Sequence, residues 1–510
     1  MSKTIIIIGA GLAGLSAALQ AAENGCNVKL VSSFPSERAQ SVMAEGGINA
    51  ALNTKDENDS PEEHFTDTIK AACGLADPNA VWGMTQAAPE LVHWLLKLGV
   101  QFNMSGYDDV DLRNFGGQKK KRTAFAQSDT GKQIMTAMID AVRRKEASGM
   151  VERFSHHSFL TLRLCDNICC GCVIRDEYSQ ETVELPGDAV IVATGGMHGL
   201  FGNTTGSLSN TGEVTAELFR LGVPLANGEM IQYHPTTVKC GGKRMLISEA
   251  ARGEGGRLFA MKDGKQWYFM EEKYPELGNL MPRDITAREI WKVSHESEVF
   301  LDMTEISDEI ISNKLSGLAD DCMTYLHKDI RKEPVSVLPG IHYFMGGILV
   351  DEQHRTPIQN LYAAGECCAQ YHGANRLGGN SLLGALYGGR VAAKSACEQA
   401  DVVDLSCATQ IDFPPASQIS EIKQLNKVMQ ETMGVVRNEN TLLNGIQTVQ
   451  ALTGNLPLLG MAVLKSALAR KESRGAHWRE DYPKSNDDDY LKTTVARFDG
   501  KQIQISFVPV

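Results

Sequence analysis

Residues 3–32, "KTIIIIGAGLAGLSAALQAAENGCNVKLVS", constrain this chain more than any other stretch. Four consecutive isoleucines, Ile5 to Ile8, are β-branched and too few for a buried helix, so they read as a strand covered on both faces. Gly9, Gly11 and Gly14 follow as G-x-G-x-x-G, then an alanine-rich helix and a second apolar strand. The first two glycines permit a tight turn and close contact with a pyrophosphate, and the third lets the helix press on the sheet. The helix N-terminus supplies unpaired N–H groups and the positive end of its dipole to phosphate oxygens. The acidic residue that holds a ribose in nicotinamide sites is replaced by Ser32 and Ser33, which argues against a simple NAD unit.

Later segments return to the same sheet. "GDAVIVATGG" (187–196) is a strand ending at Thr194 and Gly195, and "NLYAAGECC" (360–368) is a short strand ending near Glu366. After "GGNSL", the run "LGALYGGRVAAKSACEQA" reads as a helix with Asn380, Ser381 and Leu382 near its start. Between the returns, roughly 235 to 345, charged helices such as "SDEIISNKLSGL" alternate with short strands, as in an inserted domain. Pro414 and Pro415 mark a linker, and Ile419, Ile422, Leu425, Met429 and Met433 fall on one helical face beyond it. The expected organisation is α/β: a Rossmann-like unit over 1–234 and 341–412, an α+β capping insertion over 235–340, and a helical C-terminal domain over 413–510.

The chain has 510 residues, enough for two or three domains, and is 43% hydrophobic and 22% charged, so a sizeable core is expected. A net charge of −12 argues against nucleic-acid binding. No apolar run approaches the ~20 residues of a membrane span. The sequence enters its first strand at once, leaving no room for a signal peptide, so a cytoplasmic protein is expected. Twelve cysteines are then expected to be reduced. The cluster Cys165, Cys169, Cys170 and Cys172 invites a metal reading, but it lies between "SFLTLRL" and "VIRDE" around Asp-Asn. A β-hairpin is the better reading, and no metal site is expected.

"HGANRLGGNSL" (372–382) places His372 and Arg376 among glycines and short polar residues. A guanidinium on so permissive a backbone suits a carboxylate pocket beside a bound cofactor. Taken with "AEGGINAAL", "IQYHPT", "ISEAARGEGGRL", "MPRDI", "HYFMGGI", "AAGECC" and "SRGAHWREDYP", this segment resembles the flavoprotein of succinate dehydrogenase and fumarate reductase, with L-aspartate oxidase as close kin. The motifs run in family order from residue 5 to about 483.

The resemblance implies FAD, with Gly9, Gly11, Gly14, Ser32, Ser41, Gly46, Gly47, Asp129, Thr194, Gly195, Glu366, Ser381 and Leu382 as cofactor residues. It implies that His234, Ser248, His342 and Arg376 hold a dicarboxylate, fumarate or succinate. Arg283 is implied as the proton donor, re-supplied through Glu249 and Arg252, whose i, i+3 spacing makes them neighbours on one turn. Singly, each has a blander reading, such as a helix ion pair or a core histidine; together and in order they form a site. An iron–sulfur subunit is the implied electron donor, because similar C-terminal tails occur in multisubunit members, and membrane association would come through partners.

Two departures from the family pattern matter. Gln40 stands where covalently flavinylated members carry the linking histidine, so FAD is expected to be non-covalent, and fumarate reduction favoured. Phe115 stands before Gly-Gly where aspartate oxidases carry a glutamate, and a phenyl ring cannot pair with an ammonium group. Fumarate reduction is therefore expected ahead of L-aspartate oxidation or reduction of another unsaturated acid, although "LISEAARGEGG" and the length look like aspartate oxidase.

Overall fold

The computed structural model describes residues 2–106, 109–207, 209–400, 413 and 418–510. A five-stranded parallel sheet orders the strands Leu361–Ala363, Ala189–Val192, Thr4–Ile8, Asn27–Ser32 and Val151–Ser155. The isoleucine strand is third of five and pairs on both sides. Its side chains alternate between two cores, Ile5 and Ile7 on one face, Ile6 and Ile8 on the other. Both returns expected from the sequence join this sheet, the strand Ala189–Val192 beside the first and Leu361–Ala363 beyond it.

The glycines divide their work. Gly9 has φ +111°, and a Cβ there would stand 2.3 Å from the Ala193 carbonyl oxygen. A Cβ on Gly14 would stand 1.9 Å from the Gly9 carbonyl oxygen, so only hydrogen lets the helix Leu12–Glu23 close on the strand. The helix Asn380–Gln399 packs against that helix; Ser16 Oγ donates to the Leu386 carbonyl at 2.7 Å.

The cysteine-rich stretch is the expected hairpin, His157–Cys165 with Ile168–Asp176. Its turn is Asp166-Asn167, both left-handed at φ +48° and +65°, which suits a two-residue hairpin turn. Among the described residues ten cysteines carry free thiols; the expectation of reduced thiols fails at Cys165, which is in a disulfide.

The expected boundaries at 234/235 and 340/341 both fall inside paired strands, Ile231–Cys240 and Leu338–Phe344. One antiparallel ribbon thus carries the chain into the inserted segment and back. Beyond it lies a separate core containing Phe269, Ile290, Leu301 and Ile311. Pro414, Pro415 and the 412/413 boundary lie outside the described residues. Along the helix Ile419–Thr432, Leu425 and Met429 are buried and Ile422 is partly buried, while Ile419 is 75% exposed, so the apolar stripe engages only after its first turn. The chain ends in a hairpin, Thr493–Phe498 with Ile503–Val508, that pairs with Leu225–Ala226 and adds strands to the C-terminal helices. Among the described residues, no helix is long and apolar enough to cross a membrane.

Candidate active site

A single cavity of about 510 Å³ runs from the glycine fingerprint to the ribbon. Gly9, Gly11, Ser32, Ser41, Gly46, Gly47, Thr194, Gly195, Glu366, Ser381 and Leu382 line it, as do His234, Ser248, Glu249, Arg283, His342 and Arg376. Residues spread over more than 370 positions therefore share one enclosure. Three expected residues stand apart from its wall. Gly14 is a packing residue behind it, Arg252 lies behind Glu249, and Asp129 is exposed just ahead of the helix Thr130–Ala147.

The cofactor end fits a dinucleotide. A Cβ on Gly11 would meet nothing closer than 3.8 Å, so the turn leaves space where a pyrophosphate would press. The helices Leu12–Glu23 and Asn380–Gln399 have no acidic residue in their first turns and no side-chain cap, which leaves most of their leading N–H groups for a ligand. The Leu12 N–H is taken by Ser41 Oγ at 3.3 Å. Ser32 Oγ, at the end of the second strand, is sealed from solvent without a partner, as a ribose contact would require. FAD would lie along these residues and supply two-electron chemistry at the far end. Gln40 lines the cavity and its side-chain oxygen accepts from the Ser207 N–H.

At the far end Glu249 is the organising group. Its Oε2 accepts from Arg283 Nε at 2.8 Å and Nη2 at 2.6 Å; its Oε1 accepts from Arg252 Nη2 and the Gly116 N–H, both at 3.2 Å. The helix Glu249–Gly253 is only five residues, and Ser248 caps it. Burial pushes the Glu249 carboxyl up, but Arg283 and Arg252 outweigh it and hold the group below its ordinary range. Arg283 is 6% exposed and Glu249 2% exposed, so the pair is buried. Arg252 Nη1 donates to the Asn279 carbonyl, anchoring the outer end.

Arg376 is 3% exposed, lies over the Tyr343 ring at 4.3 Å, and its Nε has no partner. Burial first, and Arg283 second, lower it to about 9. An unpaired guanidinium N–H in such a place is costly unless an anion completes it. His234 and His342 face each other at 5.1 Å between ring centroids. Burial and Arg283 hold both imidazoles well below their usual range, so at neutral pH they are neutral donors rather than cations. His372, by contrast, is buried outside the cavity wall, edge-on to Tyr343 at 5.3 Å.

Three further residues escaped the sequence reading. Gln232 accepts from Arg283 Nη1 at 3.1 Å and donates to the Arg376 carbonyl at 2.8 Å and to Asn375 Oδ1 at 3.0 Å, tying the two cationic loops together. The signal was its spacing of two from His234 on one strand. Thr205 Oγ1 meets His342 Nδ1 at 2.8 Å, fixing that ring from a loop no local pattern marks. Glu45 also lines the cavity, with Oε2 sealed and unpartnered. Phe115 packs against the loops at both ends of this region, since a Cβ on Gly46 would stand 2.7 Å from its ring and one on Gly378 3.0 Å.

Residues 4–382 match the FAD binding domain model, and residues 452–510 match the fumarate reductase flavoprotein C-terminal model. The chain belongs to the succinate dehydrogenase and fumarate reductase flavoprotein family. It is 39% identical to the succinate dehydrogenase flavoprotein subunit of Bacillus subtilis, covering 97% of this chain and 94% of that one. It is 33% identical to an L-aspartate oxidase of Pyrococcus furiosus, covering 95% and 97%. The fold superposes on an E. coli quinol fumarate reductase chain with a TM-score of 0.91 at 27% identity, covering 100% and 97%. The protein is thus an FAD-dependent oxidoreductase of this family, built as a Rossmann-like unit with an inserted segment and a C-terminal helical region. Among the described residues no group of three or more His, Cys, Asp or Glu is placed to hold a metal.

Proposed function

We propose that the chain is a fumarate reductase flavoprotein, converting fumarate to succinate. The observation that carries this reading is the buried, unpaired Arg376 Nε facing the same cavity as the Arg283–Glu249 pair. Bound FAD would supply hydride from N5 to one alkene carbon. Arg376 clamps one substrate carboxylate in its fork, while His234, His342 and Ser248 hold the other with neutral donors, replacing the water that the dianion loses. Fixed at both ends, the alkene is presented at one distance and angle, which removes most of the entropic barrier.

Arg283 delivers the proton to the second carbon. Arginine serves as an acid only if a base refills it at once. Glu249 touches both Arg283 and Arg252, so a proton moves from Arg252 through the Glu249 carboxylate to Arg283 without leaving the hydrogen-bond chain. Gln232 holds the third Arg283 nitrogen and keeps the guanidinium aimed. FAD is held non-covalently, because an amide at Gln40 cannot form the link a histidine makes. The remaining roles of Gly9, Gly11, Ser32, Ser41, Gly46, Gly47, Thr194, Gly195, Glu366, Ser381 and Leu382 are to cradle it. The proposed division is 1–234 and 341–412 for the FAD unit, 235–340 for the cap and 413–510 for the C-terminal domain, with electrons arriving from an iron–sulfur partner and any membrane contact made through partners of an otherwise cytoplasmic chain.

L-aspartate oxidation is the second reading, favoured by the Pyrococcus furiosus relative and opposed by Phe115, which offers no charge to an ammonium group. The test is anaerobic oxidation of a reduced dye by fumarate and a panel of enoates, with L-aspartate and succinate supplied aerobically in parallel. Faster conversion of L-aspartate than of fumarate reverses the assignment. Acid precipitation checks the attachment: a colourless pellet under a yellow supernatant is expected, and a yellow pellet refutes non-covalent binding.

A further inference from the structure

Away from the cavity, Cys26 and Cys397 meet. Cys26 follows the first helix at its C-terminal end, and Cys397 lies in the last turn of the helix Asn380–Gln399. Their sulfurs are 2.8 Å apart, inside the van der Waals separation of two sulfurs, although 371 residues separate them in sequence. Both are free thiols; Cys26 is 5% exposed and Cys397 is partly exposed. Lys3 Nζ donates to the Cys397 carbonyl at 2.8 Å and fixes the strand end beside it. The two helices touch along their lengths: a Cβ on Gly389 would stand 2.3 Å from the Ala13 carbonyl oxygen. Their opposite ends, Gly11–Leu12 and Ser381–Leu382, line the FAD cavity.

We propose that Cys26 and Cys397 are a reversible dithiol–disulfide site that staples the two cofactor-bearing helices together under oxidising conditions. The oxidant is a small disulfide such as oxidised glutathione. The Cys397 thiolate, the more accessible, attacks one sulfur of the oxidant and releases one thiolate. Cys26 then attacks the Cys397 sulfur of the mixed disulfide and expels the second. The protein gives up two electrons and two protons; the oxidant takes them up as two thiols. Burial raises the Cys397 thiol, and the neighbouring Cys26 raises it further while Lys3 opposes, so exchange is slow at neutral pH and quickens as pH rises. The bond spans a sequence separation of 371 and so restricts the unfolded chain far more than the folded one.

The experiment treats FAD-loaded full-length protein with oxidised glutathione, quenches with N-ethylmaleimide, and digests without reductant. A linked Cys26–Cys397 peptide, reversed by dithiothreitol, is expected. The oxidised form should also show an unfolding constant at least about 30-fold lower, and slower flavin release. Cys26→Ser should keep wild-type turnover in reducing buffer and trap a glutathione adduct on Cys397; Cys397→Ser should yield neither adduct nor link. Two separately labelled peptides after oxidation overturn the site. A linked peptide with unchanged unfolding and flavin release overturns the staple.

Discussion

Glu45→Gln tests the electrostatics of the cavity through a residue outside the proposed proton path. The Glu45 carboxyl is raised from 4.5 to about 8, chiefly by burial, then by Asp321; Asp129 adds to this, while Arg113 and a hydrogen bond with Ser248 oppose it. The folded state therefore holds this proton more tightly than the unfolded chain, and stability falls as pH rises from 4.5 towards 8, then levels. The slope is about 1.4 kcal/mol per pH unit. At pH 7, about two and a half units above the unfolded value, the loss is roughly 3 kcal/mol. That is an upper figure, because the residue as a whole is only half-buried although its Oε2 is sealed. Glutamine is neutral at every pH and keeps the partner at Ser248. Urea unfolding of FAD-saturated protein at pH 5, 6, 7 and 8 should show the variant gaining no more than about 1 kcal/mol at pH 5 and up to about 4 kcal/mol at pH 8. Succinate affinity should also fall above pH 8 in the wild type, where Glu45 ionises beside the dianion, and hold steady in the variant. A stability difference that is the same at pH 5 and pH 8 refutes the reasoning.

Arg283→Ala should lower fumarate turnover by about 10²–10⁴ while the purified protein keeps its flavin absorbance; retention of turnover would remove Arg283 from the chemistry. Gln232→Ala should lower turnover by about 10–100-fold through loss of an acceptor for the Arg283 guanidinium, a bond to a charged group of ~1.5–3 kcal/mol, with flavin content unchanged. Gly14→Ala should destabilise at or beyond the ~3 kcal/mol upper end of ordinary overpacking, because its Cβ would stand 1.9 Å from a backbone oxygen. Gly11→Ala, whose Cβ meets nothing within 3.5 Å, should fold normally by circular dichroism and bind FAD more weakly.

What the sequence revealed was what local periodicity and spacing encode. The strand Ile5–Ile8 was legible because β-branching and length admit one answer, and the hairpin at 157–176 because Asp-Asn takes left-handed angles cheaply. The Glu249–Arg252 contact followed from one helical turn. Arg283, by contrast, reaches Glu249 across 34 positions, a contact that only the resemblance supplied. Gln232 was missed although it shares a strand with His234, because an uncharged amide carries no signal until its partners from the 375–376 loop arrive. Glu45 was passed over for the same reason: the acids that raise it, Asp321 and Asp129, come from elements remote in sequence. His372 and Asp129 stand off the cavity wall, since a ring beside Arg376 or an acid beside a helix start says nothing about which way the backbone turns it. The site is therefore legible where one element builds it and opaque where the ribbon Ile231–Cys240/Leu338–Phe344 folds separate elements onto each other. That division also explains why the cation cluster needs the ribbon. A buried guanidinium such as Arg376 is tolerable only if a rigid frame aims it at an anion, and Gln232, on the ribbon, holds its carbonyl in place.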